Sequence, residues 1–227
     1  MPNYVQKALK KLQHKLSLHP QSTPHQWIVP AFGAKQQHAP LEPPSPPLTQ
    51  KEQKRVQTVV GTFLYYGRAV DSTILPAIND IASSQAMPTT KTNKQIEMLL
   101  DYYLATNPNA TIRFYASDMI LHEDSDAAYL VMPGAKIRVA GFYHLSNMPP
   151  TTKAPNPFLN GAIHVECKAL RHVVTSAAET ETAALFYNAK NVIELRRSLE
   201  ALGHHQPPTP IKTDNSTAFG FITNFVN

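Results

Sequence analysis

The chain of 227 residues has one cysteine, Cys167, which excludes an internal disulfide framework and fits a reducing, cytoplasmic setting. Its eight glycines nowhere fall in the order of a dinucleotide-binding or P-loop fingerprint, so a Gly-rich phosphate cradle is excluded. No apolar run approaches the ~18 residues of a membrane helix, and no membrane partner is expected. The opening stretch MPNYVQKALKKLQHK lacks the apolar centre and cleavage site of a secretory signal. What the chain does have is length for one or two domains, 42% apolar residues and a net charge of +5. That charge is local. Residues 1–55 carry eight Lys/Arg against two Asp/Glu, whereas residues 111–227 are balanced at ten against ten. A basic N-terminal segment suits a polyanion and equally suits a solvated helix face.

Residues 3–15 read as a short amphipathic helix, with Tyr4, Val5, Ala8, Leu9 and Leu12 at helical spacing and Lys7, Lys10, Lys11 and Lys15 around them. Eight of the twenty prolines fall between Leu16 and Gln50, which predicts an extended connector on which Trp27, Ile28, Val29 and Phe32 can dock. Three helices follow: a stripe of Val56, Val59, Val60, Phe63, Leu64, Gly67 and Val70; a second of Ile74, Ile78 and Ile81, capped by Asp71 or Ser72; and a third over Thr92–Ala105. The period then changes. Strand-like segments at 112–117, 118–131, 136–146 and 161–175 precede a long helix, Ala177–Leu202, bounded by Gly203. A short strand, Thr209–Thr213, and a helix from about Ser216 close the chain. The expectation is an α/β domain with a mixed sheet in the order strand, strand, strand, helix, strand, helix. The corresponding organisation is a basic helix and Pro-rich connector (1–50), a helical segment (51–110) and the α/β domain (111–227).

Three acids stand out by position. Asp126 lies within the first long strand, Glu181 near the start of the long helix, and Asp214 just after the last strand. Carboxylates from such elements repel one another where they converge unless a divalent cation neutralises them, and hard oxygen ligands suit Mg²⁺ or Mn²⁺. At 100° per residue Glu181 shares the apolar stripe of Ala184, Leu185, Val192, Leu195, Leu199 and Leu202. Glu179 points elsewhere and completes the S-x-x-E capping pattern with Ser176. Plainer readings stand beside these: Asp214 as a helix cap, Asp126 as a solvated strand residue replaceable by Asp124, and Glu181 as a first-turn acid favoured by the helix dipole. His164, Cys167 and His172 offer three zinc ligand types, but a strand scatters them over two faces.

At the three acids the sequence resembles a family. Ser125-Asp126-Ala127-Ala128-Tyr129 is similar to the S-D-A-D-W/Y segment of the ribonuclease H domain in copia-type LTR retrotransposon polyproteins. The stretch from Ser176 to Leu185 resembles that family's S-S-T-E-A-E-Y-x-A-L, and Lys212 to Ala218 resembles its x-C-D-N-x-x-A. Val59 to Tyr66 is similar to its V-G-x-L-x-Y connection helix. The resemblance implies a ribonuclease H-like mixed sheet behind a helical connection region. It also implies two-metal hydrolysis of the RNA strand of an RNA–DNA hybrid, with Mg²⁺ or Mn²⁺ as cofactor. Asp126 bridges both metals in that scheme, while Glu181 and Asp214 each complete one. The partners it implies are the hybrid, with Lys7, Lys10, Lys11 and Lys15 near the nucleic acid, and the remainder of the reverse transcriptase polyprotein.

The sequence also departs from the family. Ala128 stands where the motif has its second acid. A fourth carboxylate, expected after the last helix, is not among the 227 residues, so weak or absent hydrolysis by this chain alone is expected. No Asp-Asp pair exists, which excludes a Tyr-x-Asp-Asp polymerase site.

Overall fold

The structure, a computed structural model, describes residues 1–15, 17, 19, 21–26, 43–105, 109–132, 136–148, 158–170 and 172–223. Trp27, Ile28, Val29 and Phe32, the expected docking residues of the connector, lie outside that set. The chain divides into two compact units, Met1–Thr111 and Ile112–Asn227.

The first unit is helical: α1 (Tyr4–Lys11), α2 (Gln50–Ala69), α3 (Leu75–Ser83) and α4 (Thr90–Ala105). Its core joins Val5 and Leu9 of α1 to Val56, Val59, Val60, Phe63, Ile74, Ile78, Ile81, Ile96, Leu99, Leu100 and Tyr103, the stripes expected from helical spacing. Each aliphatic side chain so buried contributes roughly 1.5–3 kcal/mol. Helix α1 is shorter than the 3–15 expected. Gln13 turns left-handed (φ 52°), and His14 leaves the helical path to lie between Glu97 (3.2 Å) and Asp101 (2.8 Å). Asp71 takes the expected capping role, accepting from the Thr73 backbone N–H at the start of a 3₁₀ turn, Ser72–Ile74, that leads into α3. The described end of the Pro-rich stretch runs beside the entry to α4: Leu48 N–H donates to Pro88, and Thr90 N–H to Pro46.

The second unit is α/β. Strands β1 (Ile120–Met132), β2 (Lys136–Ser146) and β3 (Ala162–Leu170) are followed by helix α5 (Ala177–Ala201), strand β4 (Ile211–Lys212) and helix α6 (Ser216–Thr223). The sheet order is β3-β2-β1-β4. It is mixed: β1–β2 and β2–β3 pair antiparallel, and β1–β4 pair parallel. Helix α5 packs on the face bearing Leu121, Val139, Tyr143 and Leu170 through Ala184, Val192 and Leu199.

Residues 112–117, expected to be strand-like, form no strand. The Asn160 side chain takes the place of a ladder there, accepting from Tyr115 N–H (2.8 Å) and donating to the carbonyls of Tyr115 (2.9 Å) and Leu145 (2.8 Å). Strand β3 stops at Leu170 rather than continuing to 175, and β4 is two residues rather than five. Gly203 ends α5 as expected, with φ 92° and its N–H donating to Glu200 while His204 N–H reaches Leu199. Leu202 falls off the apolar stripe and is 75% exposed.

The return from α5 to β4 is held by side chains. Arg196 donates to the carbonyls of Gln206 (2.7 Å) and Pro207 and to the Thr209 hydroxyl (3.0 Å). Buried Gln206 in turn accepts from Leu121 N–H (3.0 Å), and Glu123 N–H donates to Pro210 (3.1 Å). These bonds lay the loop along β1, so β4 enters parallel to it.

Gly141 on β2 marks a close approach of helix to sheet. A Cβ there would lie 2.7 Å from Asn188 Oδ1 and 2.8 Å from the Tyr143 hydroxyl, both fixed in a buried network. Gly141→Ala is expected to cost about 1–3 kcal/mol through overpacking, read as a lower urea midpoint with an unchanged slope.

Candidate metal centre

The parallel pairing of β1 with β4 decides what lies at its end. Glu123 stands opposite Ile211 and Asp124 opposite Lys212. Two residues further along both chains come Asp126 and Asp214, side by side where the ladder has ended. The first turns of α5 bring Glu181 to the same place. One carboxylate oxygen from each of Asp126, Glu181 and Asp214 lies within 4.8 Å of the others.

The cap of α6 is Asn215, whose side chain accepts from Ala218 N–H (2.9 Å), so Asp214 is released from that duty. Asp124 faces His144 at 3.8 Å and is not in the cluster. Glu179 is a capping residue. Its N–H donates to Ser176 Oγ (3.1 Å), and its carboxylate reaches one residue further back than in the usual box, to the N–H (2.7 Å) and hydroxyl (2.8 Å) of Thr175. His164, Cys167 and His172 form no ligand cluster among the described residues.

Glu181 is 7% exposed, while Asp126 and Asp214 are exposed. Burial pushes the Glu181 carboxyl up to about 7, with the charges of Asp126 and Asp214 adding to the shift and a hydrogen bond with the Ala127 backbone opposing it. Burial also raises Asp126, opposed by the same backbone group and aided by Asp214. Glu181 Oε2 is buried without a hydrogen-bond partner. A buried carboxylate oxygen in a side chain that converges on two other carboxylates lacks the partner its charge requires. The donor set is all hard oxygen, which fits Mg²⁺ or Mn²⁺.

Lys7, Lys10 and Lys11 on α1 and Lys15 beyond it belong to the first unit, and all four are exposed. Two buried residues where α5 meets the sheet, Asn188 on the helix and Glu123 on β1, escaped sequence reasoning. Asn188 is 0% exposed and bonds to both β1 and β2; Glu123 is 1% exposed, its carboxyl beside the Asn188 amide. A signal existed for Asn188, which lies seven residues after Glu181 and hence on the same apolar stripe.

No family model, curated protein or solved structure matches this chain. No helix among the described residues is long and apolar enough to cross a membrane.

Proposed function

We propose that residues 112–227 form a ribonuclease H-like domain that hydrolyses the RNA strand of RNA–DNA hybrids with Mg²⁺ or Mn²⁺, within a copia-type retrotransposon reverse transcriptase polyprotein. The observation that carries this reading is the convergence of Asp126, Glu181 and Asp214, with one oxygen of buried Glu181 left unpartnered. The mixed sheet, with its parallel β1–β4 pair and α5 on one face, is compatible with it.

Asp126 and Asp214 stand at the solvent-facing end of the sheet, where a phosphodiester can reach them, and Glu181 closes the site from the helix side. Two divalent ions, when bound, supply charge neutralisation at the scissile phosphate and a more acidic water. The protein's part is to hold three carboxylates close together at neutral pH against their mutual repulsion. Selection of the RNA strand rests on groove shape and 2′-hydroxyl contacts. Residues 51–110 are read as the connection segment, and the basic helix before them supplies Lys7, Lys10, Lys11 and Lys15 as contacts to the phosphate backbone.

The test is cleavage of a labelled hybrid. The expected result is slow, Mn²⁺- or Mg²⁺-dependent cutting of the RNA strand, suppressed by EDTA. The absence of cutting with either metal, together with salt-sensitive hybrid binding, supports the second reading, a non-catalytic nucleic-acid-binding module. Ala128, half-buried on β1 where the related motif has its second acid, favours that alternative.

A further inference from the structure

We infer that Asn188 is the positioning residue of the metal centre, fixing where along the sheet α5 sits and therefore how close Glu181 comes to Asp126. The inference rests on the metal-centre reading above.

Asn188 uses its whole amide. Its Nδ2 donates to Ser125 Oγ (2.8 Å) and to the Ala140 carbonyl (2.8 Å), and its Oδ1 accepts from the Tyr143 hydroxyl (3.0 Å). Asn191 donates to that hydroxyl from the next turn (3.1 Å). The linkage this makes is short at both ends. Ser125 immediately precedes Asp126 on β1. Glu181 lies two turns before Asn188 on the same helix face, about 10 Å along a rigid rod. A bond between Asn188 and Ser125 therefore closes a frame whose other corner is the carboxylate pair.

The frame has a load to carry. Three carboxylates within 4.8 Å push Glu181, and α5 with it, away from the strand ends. The apolar contacts of Ala184, Val192 and Leu199 hold the helix on the sheet but have little directionality and resist sliding poorly. Hydrogen bonds of fixed length and angle resist it well. Gly141 permits the approach, since the glycine leaves the space that the Asn188 amide fills.

The experiment measures the Mn²⁺ dissociation constant of the full chain by titration calorimetry, with thermal unfolding beside it. Ser125→Ala deletes the Ser125 bond into β1 and leaves the Ala140 and Tyr143 bonds of Asn188 in place. Its Mn²⁺ affinity is expected to fall about tenfold, as when a residue supporting metal ligands is lost. Ser125→Thr, which keeps the hydroxyl, is expected to restore it to within about twofold. Asn191→Ala, which loosens Tyr143 without touching the link to β1, is expected to lower the melting temperature and leave Mn²⁺ affinity unchanged. Equal Mn²⁺ affinity in wild type and Ser125→Ala overturns the inference while the metal centre stands. Failure of the wild type to bind Mn²⁺ overturns the metal centre and this assignment with it.

Discussion

Asp126→Asn is expected to lower Mn²⁺-dependent hybrid cleavage by about 10³-fold, or about 4 kcal/mol of barrier, while leaving hybrid binding intact. Asp126 lies within 4.8 Å of both other acids, as each of the three does. It follows β1 to the register position beside Asp214, and its charge contributes to the rise of the Glu181 carboxyl. The amide keeps the shape and removes the charge. A second readout follows from the same electrostatics. Without metal, the variant relieves repulsion in the cluster and melts no lower than wild type. With Mn²⁺ at about one hundred times its dissociation constant, wild type gains about 2.7 kcal/mol, several degrees in melting temperature, and the variant gains none. Paired melts with and without Mn²⁺ check this, and an equal metal-induced rise in both proteins would remove Asp126 from the site.

Glu123→Gln is expected to stabilise the fold, and increasingly so as pH rises. Glu123 sits beneath α5 in β1, opposite Tyr143 of β2 and Ile211 of β4, and burial pushes its carboxyl up to about 8, with Asp124 adding to the shift and a hydrogen bond with Asn188 opposing it. The folded chain thus keeps a proton that the unfolded chain releases near its ordinary value of 4.5. Stability contributed by the neutral acid is complete below about 4.5, declines as pH rises toward 8, and is lost above it. Glutamine has no proton to release and abolishes that slope. The two proteins are expected to unfold nearly alike near pH 5 and to differ by about 4 kcal/mol at pH 8.5, measured by urea denaturation. Parallel stability curves across that range would show that Glu123 is solvated in the folded protein.

The helices were legible because their stripes repeat at 3.6 residues, and Glu181 was legible because an acid on such a stripe breaks the pattern. The choice between Glu179 and Glu181 followed from the S-x-x-E spacing at Ser176. Other features were hidden by distance along the chain. His122-Glu123-Asp124-Ser125 reads as a solvent-facing run, since polar residues are usually exposed. In the folded sheet β1 lies between β2 and β4, and His122, Glu123 and Ser125 are all buried. The partner that makes Ser125 tolerable there is Asn188, far along the chain on another element. Residues 112–117 misled for the opposite reason. Ile112, Phe114 and Tyr115 have strand-like side chains, but Asn160 meets the Tyr115 backbone where a neighbouring strand was expected. At Asp214-Asn215 both residues are able to cap a helix, and only the hydrogen bond to Ala218 separates them.

Strand β4 is two residues long and lies at the edge of the sheet. A strand that short opens more readily than the strands beside it, because few hydrogen bonds must break together. Asp214 is carried by that pairing, so the three-carboxylate arrangement exists only in the fraction of molecules whose edge is zipped. Apparent ion affinity is then the intrinsic affinity multiplied by that fraction. Anything that latches the edge, from the Arg196 bracket to a substrate strand lying across it, tightens ion binding without touching a ligand. On the proposed metal reading, ions bound there would close the edge in return, making assembly of the centre and completion of the sheet one cooperative event.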